Sequence, residues 1–288
     1  MSKILIAISI LVSIEAIAIP LRIVAEDQFL PAVDYNFNGI AKTSICSASV
    51  VKFRNESDDA YAKILTNGHC IGMGSQVVFG HKMPAPGEVF VNVSTNLTVE
   101  LLADDGQTTV ARIYSDKLIY GTMTDTDLAL FRLGLTYKQL KSKYNVGALV
   151  IADRPALQGT AIQVISGYWR RGYSCNLDGY VYNLKEDAWT FKDSLRYSEE
   201  GCRIVGGTSG SPVIAEATRE VIGVNNTTNE SGQKCTLNNP CEVTKDGKVT
   251  IYNKGGYGQH TDWLYSCLND KYEVDLSVAG CTLPKPRH

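Results

Sequence analysis

The chain has 288 residues, of which 44% are hydrophobic and 20% are charged, and its formal net charge is −2. This length accommodates one large domain or two small ones, and the composition is typical of a globular protein with a buried core. The near-neutral charge and the scattered basic residues argue against binding to a nucleic-acid backbone.

The N-terminus has the features of an export signal. Lys3 is followed by an almost unbroken apolar run over residues 4–14, and Ala16-Ile17-Ala18 supplies small residues for a cleavage site. The run is shorter than the about 20 residues that cross a bilayer, so a membrane anchor is the weaker alternative. We predict a signal peptide over residues 1–18, secretion to the extracellular space or periplasm, and no membrane association after signal removal.

Strand signals dominate the rest of the chain, because short runs of β-branched and aromatic residues alternate with polar or Gly/Pro breaks. These runs are residues 50–53, 62–65, 76–79, 89–93, 110–114, 128–131, 161–165, 213–214 and 220–224. Many short strands at this spacing indicate an all-β barrel or sandwich. Asp246-Gly247 lies between strand-like flanks and predicts a hairpin turn.

Two segments interrupt the strand pattern. Residues 136–144 are polar and predict a helix that links two β halves of the chain. Residues 261–268 carry apolar residues at helical spacing after Thr261, which is a suitable cap, so they predict a short terminal helix.

Three motifs supply the side chains that a serine hydrolase needs. They are Thr-Asn-Gly-His-Cys at residues 66–70, Thr-Asp-Leu-Ala-Leu at residues 126–130, and Gly-Gly-Thr-Ser-Gly-Ser-Pro at residues 206–212. A serine hydroxyl needs a neutral imidazole to take its proton, and the imidazole needs a carboxylate to hold its tautomer. His69, Asp127 and Ser209 are therefore a candidate catalytic triad.

The glycines around Ser209 let the amides of Gly207 and Ser209 converge on one spot, which predicts an oxyanion hole. Asp125 is the alternative carboxylate, and we favour Asp127 because Leu-Ala-Leu follows it directly. Taken singly, the histidine is compatible with a structural role and the glycine-rich segment with a plain flexible loop.

The motifs resemble those of chymotrypsin/trypsin-fold serine peptidases, which typically read Thr-Ala-Ala-His-Cys, Asp-[Ile/Leu]-Ala-Leu and Gly-Asp-Ser-Gly-Gly-Pro. The Ser-Gly-Ser-Pro ending is more similar to bacterial glutamyl endopeptidases, and the resemblance spans roughly residues 40 to 268. It implies an all-β fold of two packed antiparallel six-stranded β-barrels with a short C-terminal helix. His69 and Asp127 would come from the first barrel and Ser209 from the second, with the active site in the cleft between them.

The organisation expected on this basis is a signal peptide over 1–18, an N-terminal segment or short propeptide over 19–39, a first β-barrel over 40–135, a linker over 136–150, a second β-barrel over 151–260, and a C-terminal helix and tail over 261–288.

In trypsin-like zymogens, a freed Ile-Val terminus pairs with an Asp before the catalytic serine. Arg22-Ile23-Val24 resembles that cleavage site, but the partner position here is Thr208, which has no charge. Because an unpaired buried ammonium is costly, we expect this switch to be absent.

The chain has eight cysteines, an even number that indicates disulfides in an exported protein. Consecutive pairing is the simplest scheme because each loop is local. Zinc is the weaker alternative, since no Cys-x-x-Cys occurs, and we expect no metal and no cofactor. The resemblance implies a Cys46–Cys70 bridge beside His69. The remaining pairs would be Cys175–Cys202, Cys235–Cys241 and Cys267–Cys281.

By alignment with these peptidases, Arg203, Ile204, Val224 and Asn225 should wall the primary substrate pocket. Arg203 stands where trypsin has its pocket-base Asp, so a trypsin-like preference for Lys or Arg in that pocket is not supported. Ile204 and Asn225 stand where glutamyl endopeptidases have a Thr and a His, so a preference for Glu is not supported either.

The resemblance implies a secreted serine endopeptidase that acts on polypeptide substrates, meets proteinaceous inhibitors and works as a monomer. The non-enzyme alternative is a catalytically inactive peptidase-fold binding protein, although no triad residue is missing. An α/β-hydrolase esterase is disfavoured because that fold needs the order Ser, Asp, His and a Gly where this chain has Ser211.

Overall fold

Residues 35–72 and 83–286 are described by the structure, which is a computed structural model. The predicted signal peptide, the Arg22-Ile23-Val24 segment and the strand predicted over residues 76–79 lie outside the described residues. In the part of the chain that is described, no helix has the length and apolar character needed to cross a membrane.

Strands form most of the regular structure. They are β1 (Ile40–Lys42), β2 (Ser47–Lys52), β3 (Tyr61–Thr66), β4 (Val89–Ser94), β5 (Thr98–Leu102), β6 (Thr109–Thr122), β7 (Leu128–Thr136), β8 (Leu149–Val150), β9 (Ala161–Ser166), β10 (Arg171–Glu186), β11 (Trp189–Tyr197), β12 (Pro212–Ala215), β13 (Val221–Thr228), β14 (Cys241–Val243), β15 (Val249–Thr250) and β16 (Gly256–His260). The helices are α1 (Tyr137–Tyr144) and two 3₁₀ helices, His69–Gly72 and Asp262–Cys267.

The first sheet closes into a six-stranded antiparallel barrel. Its strands follow the order β1-β5-β6-β7-β3-β2, and β2 pairs back with β1. β4 lies outside the ring and pairs with β6, and β8 pairs with β2 as a parallel strand. Inward-facing residues such as Val50, Ile64, Leu118 and Phe131 fill the barrel, as the alternation of apolar residues along these strands predicts.

The second sheet closes in the same way. The ring is β9-β10-β11-β16-β13-β12, closed by the pairing of β12 with β9, and all its pairs are antiparallel. β14 and β15 extend β10, and the turn between them carries Asp246-Gly247, with Gly247 at a φ of 84°. The predicted fold of two six-stranded antiparallel barrels is therefore confirmed.

A shared core holds the two barrels together. Phe53 and Leu65 from the first barrel belong to the same buried cluster as Ile214 and Val224 from the second. Leu264 of the C-terminal 3₁₀ helix joins this cluster. Burial of apolar surface between the barrels fixes their relative position, and with it the cleft between them.

The two predicted helices are both present. α1 begins with a capping box: Thr136 Oγ1 accepts from the Gln139 amide at 3.2 Å, and Gln139 Oε1 accepts from the Thr136 amide at 2.9 Å. The C-terminal helix is a short 3₁₀ helix rather than an α-helix. Thr261 does not cap it, because its hydroxyl donates to Val221 O at 3.2 Å in the second barrel.

Disulfides join neighbouring cysteines along the chain. The pairs are Cys46–Cys70, Cys175–Cys202, Cys235–Cys241 and Cys267–Cys281. The first bridge lies directly beside His69, so the two sulfurs nearest the imidazole are not thiolate metal ligands. The last bridge attaches the C-terminal segment to the 3₁₀ helix that packs in the shared core.

Candidate active site

The site begins with a histidine and an aspartate that lie just beyond the ends of two neighbouring strands of the first barrel. His69 follows β3 and Asp127 precedes β7, and these two strands pair side by side. His69 Nδ1 lies 2.6 Å from Asp127 Oδ2, and the His69 amide donates to Asp127 Oδ1 at 2.9 Å. The Asp127 carboxylate is fully buried, whereas the imidazole side chain is 15% exposed. The carboxylate therefore holds both the backbone and the ring of His69.

Asp125, the alternative carboxylate, points elsewhere. Its Oδ2 pairs with Lys192 Nζ at 2.8 Å on the protein surface. Its backbone carbonyl also accepts from the Lys192 amide at 2.8 Å. The carboxylate that contacts His69 is thus the one followed by Leu-Ala-Leu.

The pKa of His69 is raised above its ordinary value of 6.5. Burial by itself would lower the pKa, because it disfavours the imidazolium. The charge of Asp127 and its hydrogen bond outweigh the burial, and the charge of Glu186 adds to them. The bond to Asp127 also sets the neutral tautomer, with the proton on Nδ1 and a lone pair on Nε2.

Ser209 lies in the loop before β12, in the second barrel. It borders one cavity of about 380 Å³ together with His69 and Asp127. Its hydroxyl donates to Asn226 O at 3.3 Å. Gly210, the next residue, has a φ of +80°, and a Cβ there would lie 2.1 Å from Ser47 O, so only glycine fits. The tertiary structure thus brings the three predicted triad residues to one cavity.

The loop that carries Ser209 has its carbonyl groups occupied. Gly206 O accepts from Trp169 Nε1 at 2.7 Å, and Gly207 O accepts from Ser47 Oγ at 3.3 Å. Ser209 O accepts from the Ser47 amide at 2.8 Å. Among residues 35–72 and 83–286, the amides of Gly207 and Ser209 have no acceptor. These two N–H groups are the ones predicted to form the oxyanion hole.

Trp169 acts on the orientation of the Gly207 amide. A trans peptide is planar, so the carbonyl of Gly206 and the N–H of Gly207 point in opposite directions. Because the indole N–H holds Gly206 O, it also directs the Gly207 N–H away from the indole. Trp169 lies in the turn between β9 and β10, and nothing in the local sequence indicates this contact.

Asn67 connects the three motifs, a role that sequence analysis missed. Its side chain is fully buried. Asn67 Nδ2 donates to Asp127 O at 2.9 Å, and Asn67 Oδ1 accepts from the Gly210 amide at 2.6 Å. One amide therefore links the segments that carry His69, Asp127 and Ser209 across the two barrels. Nothing in the local sequence marks this asparagine for that role, because its two partners lie far away along the chain.

Thr208 occupies the position where trypsin-like zymogens carry a pairing Asp. Its side chain is buried, and its hydroxyl donates to Val205 O at 2.6 Å. Asn225 Nδ2 donates both to Thr208 O at 3.0 Å and to Thr208 Oγ1 at 3.1 Å. Neutral hydrogen bonds therefore hold this loop where an ion pair would act in those zymogens.

The four residues predicted to wall the substrate pocket are placed differently from one another. Arg203 is exposed, Ile204 and Val224 belong to the buried apolar clusters, and Asn225 is buried against Thr208. None of the four borders the cavity with Ser209, and their part in substrate binding stays a prediction. That cavity is bordered by Ile45, Cys46, His69, Met83, Met123, Asp127, Glu186, Trp189, Gly206, Gly207, Ser209, Asn226, Thr227, Glu230, Leu237 and Asn238.

Comparison with known proteins places this chain in a family. Residues 46–224 match the model of the trypsin-like peptidase domain, which is more than half of the chain. A search of curated proteins finds no match.

Several solved proteases are similar in fold. The protease domain of MamO from Magnetospirillum magneticum has 13% identity and a TM-score of 0.49, over 81% of this chain and 97% of that chain. The active form of a protease from M. tuberculosis has 14% identity and a TM-score of 0.45, over 87% and 84%. A Glu endopeptidase in complex with MPD has 18% identity and a TM-score of 0.44, over 78% and 86%. On the match across residues 46–224, the chain belongs to the family of trypsin-like peptidases.

Proposed function

We propose that the protein is a secreted serine endopeptidase that hydrolyses peptide bonds through an acyl-enzyme. Ser209 is the nucleophile, His69 the general base and acid, and Asp127 the residue that orients His69. The observation that carries the proposal is the His69–Asp127 pair, bonded at 2.6 Å, bordering the same cavity as Ser209. The amides of Gly207 and Ser209, which have no acceptor among residues 35–72 and 83–286, support it.

Acylation follows from these positions. Ser209 Oγ attacks the carbonyl carbon of the scissile bond, and its proton passes to His69 Nε2, the nitrogen that Asp127 leaves free. Negative charge develops on the carbonyl oxygen and is stabilised by the amides of Gly207 and Ser209. When the C–N bond breaks, His69 returns the proton to the departing amine.

Deacylation uses the same groups with water. His69 Nε2 takes a proton from a water molecule, which attacks the ester carbonyl and releases the new carboxyl terminus. The proton then returns to Ser209 Oγ and restores the free enzyme. Asp127 stabilises the imidazolium in both steps without taking the proton itself.

Export agrees with the disulfides, because such bonds persist outside the reducing cytosol. Cleavage after the small residues at 16–18 would release the protein from its signal peptide. The partners proposed on this basis are polypeptide substrates and proteinaceous inhibitors, and the enzyme would act as a monomer.

A fluorophosphonate probe tests the nucleophile directly. We expect the purified protein, with its disulfides intact, to be labelled once, and peptide mapping to place the label on Ser209. The Ser209→Ala variant should remain unlabelled. Ser211 is the internal control, because it lies two residues away but is fully buried and donates to Thr208 O at 2.6 Å.

Failure of folded protein to take the label would favour the inactive binding protein over the enzyme. Folding is checked independently by thermal unfolding and by titration of free thiols. A label on a serine other than Ser209 would contradict the assignment of the nucleophile.

The pH dependence of the rate tests the base. Because the imidazolium cannot accept a proton, kcat/KM should fall about tenfold per pH unit below the pKa of His69. Asp127 raises that pKa above 6.5, so the half-maximal rate should occur above pH 6.5. Peptide hydrolysis measured between pH 5 and 9 checks this. A rate that stays constant down to pH 5 would contradict the role of His69.

A further inference from the structure

Glu186 is a buried carboxylate in the cavity that the triad mechanism does not use. It is the last residue of β10, its side chain is only 6% exposed, and it borders the same cavity as His69 and Ser209. The described border of this cavity contains no Lys or Arg that could neutralise Glu186. The cavity is therefore suited to a cation.

The described residues offer Glu186 a hydrogen bond but no Lys or Arg partner. Its Oε1 accepts from the Asn238 amide at 2.8 Å. Within residues 35–72 and 83–286 it forms no salt bridge. Burial raises the pKa of the Glu186 carboxyl, and the charge of Asp127 also acts in that direction. A buried carboxylate of this kind is stabilised when a cation binds beside it.

A second polar residue on the border of the cavity has an unsatisfied side-chain donor. Asn226 is 5% exposed, and its Nδ2 atom has no hydrogen-bond partner within the described residues. Its carbonyl accepts from Ser209 Oγ at 3.3 Å, so this free donor belongs to a residue in direct contact with Ser209. Buried donors of this kind are normally paired, so this amide is a polar group next to Ser209 that the described residues leave unsatisfied.

We propose that Glu186 binds the guanidinium or ammonium group of an Arg or Lys of the substrate, held near the scissile bond on the His69 side of the cavity. The proposal rests on the proposed peptidase function and names its substrate class. This subsite is separate from the predicted pocket around Arg203, which is exposed and does not border the cavity. A charge-assisted bond between guanidinium and carboxylate is the strongest polar contact available to a peptide side chain.

The test compares arginine with citrulline, which has nearly the same shape but no charge. Fluorogenic peptides carry one or the other at each position within four residues of the scissile bond, in an otherwise neutral sequence. We expect one position at which the wild-type enzyme prefers arginine by about 30-fold in kcat/KM, a size typical of a desolvated charge pair. In Glu186→Gln this ratio should fall at least about tenfold.

Glu230→Gln is the matched control, because it removes the same charge from an exposed residue on the same border. Its arginine-to-citrulline ratio should match that of the wild type within about twofold. Glu186→Gln keeps an acceptor for the Asn238 amide. If that variant does not fold, Glu186→Asp is tested in its place, because it keeps the charge on a shorter side chain. Glu186→Asp should lower the ratio less than a neutral residue would.

Two outcomes overturn the proposal: ratios near one at every position in the wild type, or a ratio that Glu186 variants leave unchanged. If either result is obtained while the enzyme is still labelled by the fluorophosphonate and still cleaves the citrulline peptides, only the subsite is rejected. Absence of both labelling and cleavage would instead reject the peptidase function on which the subsite rests.

Discussion

Replacement of Ser209 or His69 by alanine is expected to lower kcat by about 10⁶-fold, and Asp127→Asn by about 10⁴-fold. The first two changes remove the nucleophile and its base. Asp127→Asn keeps the shape of the side chain but reverses the hydrogen bond to Nδ1, so the lone pair on Nε2 is lost. Single-turnover hydrolysis of a fluorogenic peptide measures the loss, with thermal unfolding to show that each variant is folded.

The three side chains act as one unit, so the effects should not add. The Ser209→Ala/His69→Ala double variant is expected to be as slow as either single variant within about tenfold. Asp125→Asn is the matched control, since this carboxylate lies two residues from Asp127 and pairs with Lys192 at the surface. It should retain kcat within about twofold. A folded His69→Ala variant with near wild-type kcat would contradict the proposed mechanism.

Trp169→Phe is expected to lower kcat by about 10²-fold, the loss typical of one oxyanion-hole donor. The substitution keeps an aromatic ring but removes the N–H that holds Gly206 O at 2.7 Å. Without that bond, the Gly206–Gly207 peptide loses one of its restraints, so the N–H proposed to stabilise the oxyanion is held less firmly. KM should change much less, because the amide acts mainly on the transition state.

A peptide aldehyde separates this role from a merely structural one. Its adduct with Ser209 carries an oxyanion, so its inhibition constant should weaken in proportion to kcat in Trp169→Phe. Tyr168→Phe is the control, since it alters the adjacent aromatic residue in the same turn. Equal aldehyde affinity in the wild type and Trp169→Phe would show that the indole does not position the Gly207 amide.

The neutral hydrogen bonds around Thr208 have a consequence for activation. In trypsin-like zymogens the loop is ordered when an ammonium pairs with the Asp at this position. Here Asn225 and Val205 already bond to Thr208 within the second barrel. The loop therefore has internal contacts of its own that do not require a freed terminus.

Local pattern accounts for both predicted helices and for about half of the strands in the described residues. β7 and β13 are short apolar runs, and the capping box of α1 is visible as a Thr followed three residues later by a Gln. β1, β5, β8, β11 and β16 were not predicted, and neither was β10, the long strand from Arg171 to Glu186. Its buried and exposed residues alternate, but Gly, Asn and Asp within it interrupt the β-branched composition that marked the other strands.

The amino-acid sequence by itself indicated the family, the two-barrel fold and the identity of the candidate triad, because each of those signals is a short run of neighbouring residues. Only the tertiary structure decided which side chains support that site. Asn67 reaches Gly210 across 143 residues, and Trp169 reaches Gly206 across 37. Such contacts depend on how two closed barrels pack through their shared core. No local pattern therefore distinguishes this Asn, this Trp or the buried Glu186 from others of their kind.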